Sequence, residues 1–264
     1  MTRLPVRLSL SLALLVGTTA CATTVKREIP AGTLEPDRYL FDRGTMALEA
    51  KKWAVAREYF KRVVETYTTS QYRPDAKLGV GDTYLGEGGS ASHVLAINEF
   101  KEFLTFYPTN RRADYAQYKL ALAHFKQMRA PQRDQTETHN TIKELETLVE
   151  RYPNSTLMPE AQARLREARD RLSKSDYLVG YFYYRQRWYP GSIDRFQAIL
   201  KDDPEYRERD EVYFHLAESY VKIKRQAQAL PYYERLVAEF QESEYLAAAR
   251  KRITEIKAST DTKP

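Results

Sequence analysis

The sequence is poor in the residues that build covalent, metal-bound or nucleotide-bound centres. Its 264 residues contain one cysteine, Cys21, so no disulfide framework can form within the chain. The four histidines lie at no zinc-helix spacing from one another: His93, His124, His139 and His215. The glycine-rich run Gly86–Ala91 lacks the downstream Gly-Lys-Ser/Thr element of a phosphate loop, and no Gly-x-Ser-x-Gly motif occurs. We therefore predict no metal, no catalytic residue and no enzymatic activity.

Long hydrophobic runs and segregated charge are also missing. The longest apolar run, Leu8–Val16, is far short of the roughly 20 residues that span a bilayer. The 42 basic and 36 acidic residues are interspersed, and Arg3 and Arg7 account for two units of the net charge of +6. A nucleic-acid partner would require basic residues gathered on one face, so we predict none.

The N-terminus has the features of an export signal. Residues 1–20 combine basic residues, the apolar run and a stretch of small residues directly before Cys21. This position of Cys21 resembles a bacterial lipobox, in which the thiol carries diacylglycerol and the new N-terminus an N-acyl chain, although Thr18 stands where leucine is usual. Alternatively, Ala20–Ala22 is itself a cleavage site that discards the cysteine. Ala22, rather than aspartate, favours transfer of such a lipoprotein to the outer membrane.

The rest of the chain is patterned as helices. Residues 21–36 are expected to form a tether, and beyond them glycine and proline are scarce and regularly spaced. Apolar residues recur at helical spacing, and no segment alternates as a strand would. The spacings fit a tetratricopeptide template, in which a small residue and an aromatic residue of a first helix precede a small residue and bulky residues of a second helix. The matching positions are Gly44, Ala56, Phe60 and Val63; Gly81, Tyr84, Ala96, Phe100, Phe103 and Pro108; Ala121, Leu145, Leu148 and Pro153; Gly180, Tyr183, Ser192, Phe196, Ile199 and Pro204; Ala217, Tyr220, Ala229, Tyr233 and Leu236.

These matches predict an all-α solenoid of five helix pairs and a closing helix. The pairs cover residues 37–67, 71–107, 111–152, 157–203 and 207–240, and the closing helix covers 243–257, followed by a tail at 259–264. A turn insertion is expected at Gly86–Ser92, and a long loop at Arg129–Asn140. An irregular helical bundle is the alternative. In a solenoid, the first helices line a groove that accommodates an extended peptide or a partner helix.

Several strings go beyond the generic repeat. EFLTFYP ends at Pro108, RRADYAQYKLALAHF covers Arg111–Phe125, and RDQTET covers Arg133–Thr138. RYPNS covers Arg151–Ser155, and DYLVGYFYYRQRWYPGSIDRFQAIL covers Asp176–Leu200. Together with the leader, this ordered set resembles the BamD (ComL) family of outer-membrane assembly lipoproteins over essentially the whole mature chain.

The resemblance implies a periplasmic subunit, anchored by Cys21 to the outer membrane, of the machine that folds β-barrel proteins. Residues 37–152 would then face unfolded barrel substrates. Residues 153–258 would dock on the POTRA domains of BamA and associate with accessory lipoproteins. Other envelope tetratricopeptide lipoproteins, active in pilus assembly or cell-wall coordination, are the competing hypothesis, and a peptidoglycan-acting enzyme is a third.

Two sets of residues are expected to carry these contacts. The docking candidates lie around the turn of the fourth pair and on its second helix: Tyr184, Arg187, Trp188, Tyr189 and Arg195. Packing of the turn is the alternative role for the aromatic residues, and a solvated helix face for Arg195. The substrate-groove candidates are Tyr84, Arg112, Tyr115 and Tyr118, of which Tyr84 is also a template packing position. The acidic pair Asp202–Asp203 is interpreted as surface charge.

Overall fold

The computed structural model describes residues 28–261, and all helices of that range belong to one unit that begins at Glu35. They are α1 (Pro36–Glu49), α2 (Trp53–Thr66), α3 (Arg73–Glu87), α4 (Ser90–Phe106), α5 (Ala113–Phe125), α6 (Thr136–Arg151), α7 (Met158–Arg185), α8 (Tyr189–Asp202), α9 (Arg209–Lys222), α10 (Gln226–Glu239) and α11 (Leu246–Asp261). No β-strand occurs between residues 28 and 261. The predicted five pairs and closing helix are confirmed. The predicted signal peptide, Cys21 and the tether up to residue 27 lie outside the described residues.

Three predicted boundaries were wrong because helices extend into the expected loops. The insertion at Gly86–Ser92 shrinks to Gly88 and Gly89, since α3 and α4 absorb the other residues. The loop of the third pair covers residues 126–135, because α6 already begins at Thr136. The closing helix runs on to Asp261, into the predicted tail.

The template positions describe actual packing between paired helices. A Cβ atom on Gly44, Gly81 or Gly180 would lie 2.7 Å from a ring atom of the second helix, on Phe60, Phe100 and Phe196 respectively. These three rings are buried, so they cannot yield to a larger side chain. The small residue of each first helix therefore allows the two helices to cross closely.

Three turns within pairs share one backbone geometry. Lys51, Arg187 and Lys224 have φ values of 55°, 61° and 62°. The N–H of the following residue donates to the carbonyl five residues earlier at 2.8 to 3.0 Å: Lys52 to Ala47, Trp188 to Tyr183, and Arg225 to Tyr220. A left-handed conformation costs a non-glycine residue roughly 1–2 kcal/mol. In each of these turns the left-handed residue is a cation exposed to solvent.

The turns between pairs are tied to the preceding pair by a recurring hydrogen bond. Ser70, Ser155 and Ser243 each donate through Oγ, over 2.6 Å, to an aspartate near the start of the preceding first helix (Asp37, Asp114 and Asp210). The same serine oxygen accepts the N–H two residues further on, which fixes the turn. The serine of the RYPNS string thus has a structural role.

First helices pack against one another along the unit. α1 contacts α3, α3 contacts α5, α5 contacts α7 and α7 contacts α9, whereas second helices of the described residues make no mutual contact of that extent. α7 has 28 residues, twice the 14 of α9. Its first half joins a core cluster with α5 and α6, and its second half joins another with α8 to α11. The first helices therefore form one continuous face.

Candidate protein-docking surfaces

The turn between α7 and α8 holds an exposed tryptophan. Trp188 stacks edge-on against Tyr183, with ring centroids 4.7 Å apart. A Cβ atom on Gly191 would lie 2.8 Å from the Trp188 ring, so glycine allows the indole to lie against the first turn of α8. The indole is nonetheless 56% exposed. Packing alone does not account for so much open aromatic surface.

An apolar groove continues from this tryptophan along α7. Val179 is 39% exposed and Phe182 57% exposed, and the Phe182 ring lies 5.9 Å from that of Tyr183. These side chains face the 126–135 loop across an open cavity of about 440 Å³. We name this surface the aromatic groove; it is formed by Pro131, Gln132, Arg133, Leu178, Val179, Phe182, Tyr183 and the adjacent Trp188.

The rim of the aromatic groove is basic. Arg133, Arg185 and Arg187 are exposed, and none of them forms an ion pair with another described residue. Guanidinium groups in this state retain all their donors for a partner, and they pair well with carboxylates. The surface thus combines aromatic anchors with unpaired positive charge, as protein-binding hot spots often do.

Arg195 lies on α8, beside α7. Its side chain is exposed, and its Cβ would lie 3.2 Å from a Cβ on Gly180. The positive charge of Arg195 acts on the carboxyl group of Asp176 in α7. Burial raises the pKa of that carboxyl, while the positive charges of Arg195 and His139 partly oppose the shift. Arg195 is thus exposed to a partner on α8.

Tyr184 and Tyr189 belong to a different surface. Tyr184 packs edge-on against Tyr189, with ring centroids 5.8 Å apart, and against His215, at 5.3 Å. It lines a cavity of about 410 Å³ between α7, α9 and α11, together with Phe214, Glu218, Ala248, Lys251, Arg252 and Glu255. The structure therefore divides the five predicted docking residues between two places.

The cavity beside Tyr184 is lined by Glu218, whose carboxylate accepts three hydrogen bonds. Arg252 donates to both oxygens of Glu218, at 2.7 and 3.0 Å, and the Tyr233 hydroxyl donates to the same group at 2.5 Å. The Glu218 bonds raise the pKa of Arg252, and burial raises that of Tyr233. The arrangement locks the closing helix onto the fifth pair.

Two of the predicted substrate residues lie half-buried on α5 and at its start. Arg112 donates to Asp75 of α3 at 3.0 Å, and its guanidinium lies 4.5 Å from the centre of the Tyr115 ring. The Tyr115 hydroxyl donates to Asp82 at 2.8 Å. Burial raises the pKa of Tyr115, and proximity to the Asp82 carboxylate adds to this. A bound peptide would therefore meet an ordered Arg112–Tyr115 pair.

The other two predicted substrate residues, Tyr84 and Tyr118, are buried. Tyr84 has its ring covered by the Arg57 guanidinium, 3.9 Å from its centroid. Tyr118 is 3% exposed, and its hydroxyl accepts from Arg164 of α7 at 2.9 Å. Burial and the neighbouring Glu160 raise the pKa of Tyr118 to about 12. Tyr84 therefore packs against the second helix of the first pair, and Tyr118 contributes to the packing between first helices.

No group of three or more potential metal ligands occurs among residues 28–261. Nor does any helix in that range combine the length and apolarity needed to traverse a bilayer, including the highly charged α7.

Solved structures similar to this chain are helical-repeat proteins of low sequence identity. The MamA protein is 16% identical, with a TM-score of 0.36 over 79% of this chain and 93% of its own. The TPR2AB domain of yeast Sti1 is 12% identical, with a TM-score of 0.40 over 84% of this chain and 98% of its own.

Curated relatives are outer membrane protein assembly factors named BamD. The Caulobacter vibrioides protein is 27% identical over 77% of this chain and 66% of its own length. The Rickettsia prowazekii protein is 22% identical over 75% of this chain and 77% of its own. The Xylella fastidiosa protein is 22% identical over 82% of this chain and 76% of its own. The alignments thus span from just under two thirds to about three quarters of these relatives, and the resemblance stated from the sequence is confirmed.

The YfiO family model, described as an outer membrane lipoprotein, matches residues 34–230, which include the first nine helices and the start of α10. The chain belongs to this family of outer membrane lipoproteins.

Proposed function

We propose that the chain is a non-enzymatic periplasmic subunit of the machinery that folds β-barrel proteins into the outer membrane, anchored there by lipid on Cys21. Its relatives are named as assembly factors, which supports this role. The observation that carries the proposal is the aromatic groove, an exposed anchor site with an unpaired basic rim, in a member of this family. A scaffold needs such surfaces and no reactive centre.

We propose that the aromatic groove and Arg195 receive the POTRA domains of BamA. Trp188 and Phe182 would supply the desolvated anchors, and Arg187 would pair with a carboxylate of the partner. Trp188→Ala is expected to weaken the association by about 2 kcal/mol, or roughly thirtyfold, as for a hot-spot residue.

Charge reversal tests the same surface with matched controls. Arg187→Glu should reduce co-purification with BamA, whereas Lys51→Glu should not, although Lys51 has the same left-handed geometry in the first pair. Arg195→Glu is compared likewise with Lys201→Glu, an exposed residue on the same helix. Equal recovery of BamA with Arg187→Glu, Arg195→Glu and wild type, at unchanged helix content, would remove this face from the docking site.

The cellular role is tested by depletion. Loss of the protein should lower the amounts of many outer-membrane barrels together, because a general assembly step fails. A defect confined to pili or cell division, with barrel levels intact, would contradict the proposal. Incorporation of a fatty-acid analogue that disappears in Cys21→Ala tests the anchor separately.

A further inference from the structure

A third cavity, of about 540 Å³, lies between neighbouring turns of the second and third pairs. It is lined by the start of α4 at Gly89, Ser90 and His93, by Lys126 and Arg129 after α5, and by the start of α6. It lies beside the first turn of α4 and shares no lining residue with the aromatic groove or with the cavity that Tyr184 lines. The docking role proposed above does not involve this cavity.

Of the four charged residues that line this cavity, the two without a partner are cations. Lys126 and Arg129 are exposed and form no ion pair with another described residue. The two acidic residues of the lining are already engaged. Asp134 accepts hydrogen bonds from the N–H and the hydroxyl of Thr136, and Glu137 lies 2.6 Å from His124. An incoming ligand thus meets two free cations and two occupied carboxylates.

The two helices that start at the cavity differ in what occupies their first N–H groups. Asp134 accepts the first N–H of α6, whereas the carboxylate beside the first turn of α4, Glu87, accepts from the Ser92 hydroxyl and from Arg57. The free N–H groups of the first turn of α4 and its positive dipole end both favour a negative ligand.

A buried polar group without a partner points to the same ligand. The His93 side chain is only 9% exposed, lines the cavity, and forms no hydrogen bond or ion pair with any residue in the described range. Burial lowers the pKa of His93, and the positive charge of Lys126 lowers it further. Polar groups that are shielded from bulk solvent are normally hydrogen-bonded, and the imidazole has no partner in the described range, so it is free to bind a ligand in the cavity.

We propose that this cavity binds a phosphate group, either of a free anion or of a lipid headgroup. The first-turn N–H groups of α4, the Ser90 hydroxyl, Lys126, Arg129 and His93 supply more donors than the two oxygens of a carboxylate use. Inorganic phosphate offers four acceptor oxygens to the same set, and a headgroup diester offers two charged and two ester oxygens. Bound phosphate caps α4, as Asp134 caps α6.

The test is a titration of the full chain observed through the ring C–H signals of its histidines by NMR. The probes are inorganic phosphate, glycerophosphoglycerol as a soluble headgroup diester, and chloride at matched ionic strength. We expect saturable shifts of the His93 signal, assigned with His93→Gln, and a rise in the pKa of His93, with the exposed His139 unchanged. Saturation by the diester identifies a headgroup site, and saturation by inorganic phosphate alone a free-anion site; both support the proposal.

The decisive variant is Lys126→Gln combined with Arg129→Gln, both at exposed positions that leave the core intact. It should weaken the apparent affinity about tenfold or more, the loss of at least one charge-assisted hydrogen bond. Arg133→Gln, in the same loop but outside the cavity, should bind as wild type does. No saturable His93 shift with either phosphate probe, or an undiminished one in the double variant, overturns the proposal.

Discussion

The Asp203 carboxylate lies at the C-terminal end of α8, where the helix dipole disfavours negative charge. Burial alone would also raise its pKa, yet hydrogen bonds from Arg166 and Ser173 outweigh burial and lower it. The interaction joins α7 to the end of α8 across 30 residues of sequence. The sequence-based interpretation of this acidic pair as surface charge was therefore wrong for Asp203, although Asp202 is exposed.

Replacement of Asp203 tests that ion pair. Asp203→Asn should lower the free energy of unfolding by about 1.5–3 kcal/mol at pH 7, because the half-buried Arg166 loses one of its carboxylate partners and keeps Asp170 and Glu205. A lowered folded-state pKa stabilises the protein above the unfolded pKa near 3.9, and this stabilisation is lost as the pH falls through the folded-state value. The difference between wild type and variant should therefore vanish in acid.

Urea unfolding from pH 7 down to the acid limit of the fold measures both effects. Asp202→Asn is the matched control and should change the stability by less than about 0.5 kcal/mol. Equal stabilities for the two variants at pH 7 would show that the Arg166–Asp203 pair contributes nothing net.

Arg112 is the predicted substrate residue whose loss is best tolerated by the fold. Its side chain is about one-third exposed, at 35%, whereas Tyr118 is buried between helices. Arg112→Gln should therefore weaken binding of an extended peptide ending in an aromatic residue while the melting temperature changes little. Tyr118→Phe should instead lower the melting temperature. Fluorescence anisotropy of a labelled peptide, with thermal melts of both variants, separates the two roles, and unchanged affinity in Arg112→Gln would exclude it from the groove.

At the scale of elements, the close crossing of α7 and α8 depends on Gly180. Alanine is favoured over glycine within a helix by about 1 kcal/mol, but a Cβ on Gly180 would lie 2.7 Å from the buried Phe196 ring. Overpacking of this kind costs about 1–3 kcal/mol, so Gly180→Ala should lower the melting temperature.

Gly191→Ala is the comparison, since its neighbour Trp188 is exposed and free to swing away. This variant should keep its melting temperature but shift tryptophan emission to longer wavelength. A more stable Gly180→Ala protein would mean that the α7–α8 crossing relaxes at no cost.

The helix pairs were predictable because their signal is local. Small and aromatic residues at fixed spacing specify each crossing, and the same spacings recur in four of the five pairs. The aromatic groove was predictable only in part. Trp188 and Arg187 follow from the turn, but the exposure of Val179 and Phe182 depends on the 126–135 loop, some 50 residues away. Tyr184 was grouped with Trp188 by proximity in sequence, although it contacts His215 on another side of α7.

At the scale of the whole helical unit, the core is divided rather than continuous. One buried cluster spans Tyr177–Ile256 and another joins Tyr118 to Leu165, with α7 running through both. Each helix contacts its neighbours in the chain and the next first helix, and little else within the described range. Such arrays are stabilised by nearest-neighbour interfaces, so a destabilising substitution in one helix pair need not lower the stability of distant pairs.

Substitution of two equivalent core leucines tests whether destabilisation stays local. Leu236 in α10 and Leu40 in α1 are both fully buried, so alanine at either position should cost about 2–5 kcal/mol. Because few contacts link distant pairs, Leu236→Ala should accelerate native-state hydrogen exchange in α8 to α11 and leave α1 to α4 protected, while Leu40→Ala should give the reverse pattern. If either variant accelerates exchange equally in all helices, the unit unfolds as one cooperative block, and α7 transmits stability between the two clusters instead of separating them.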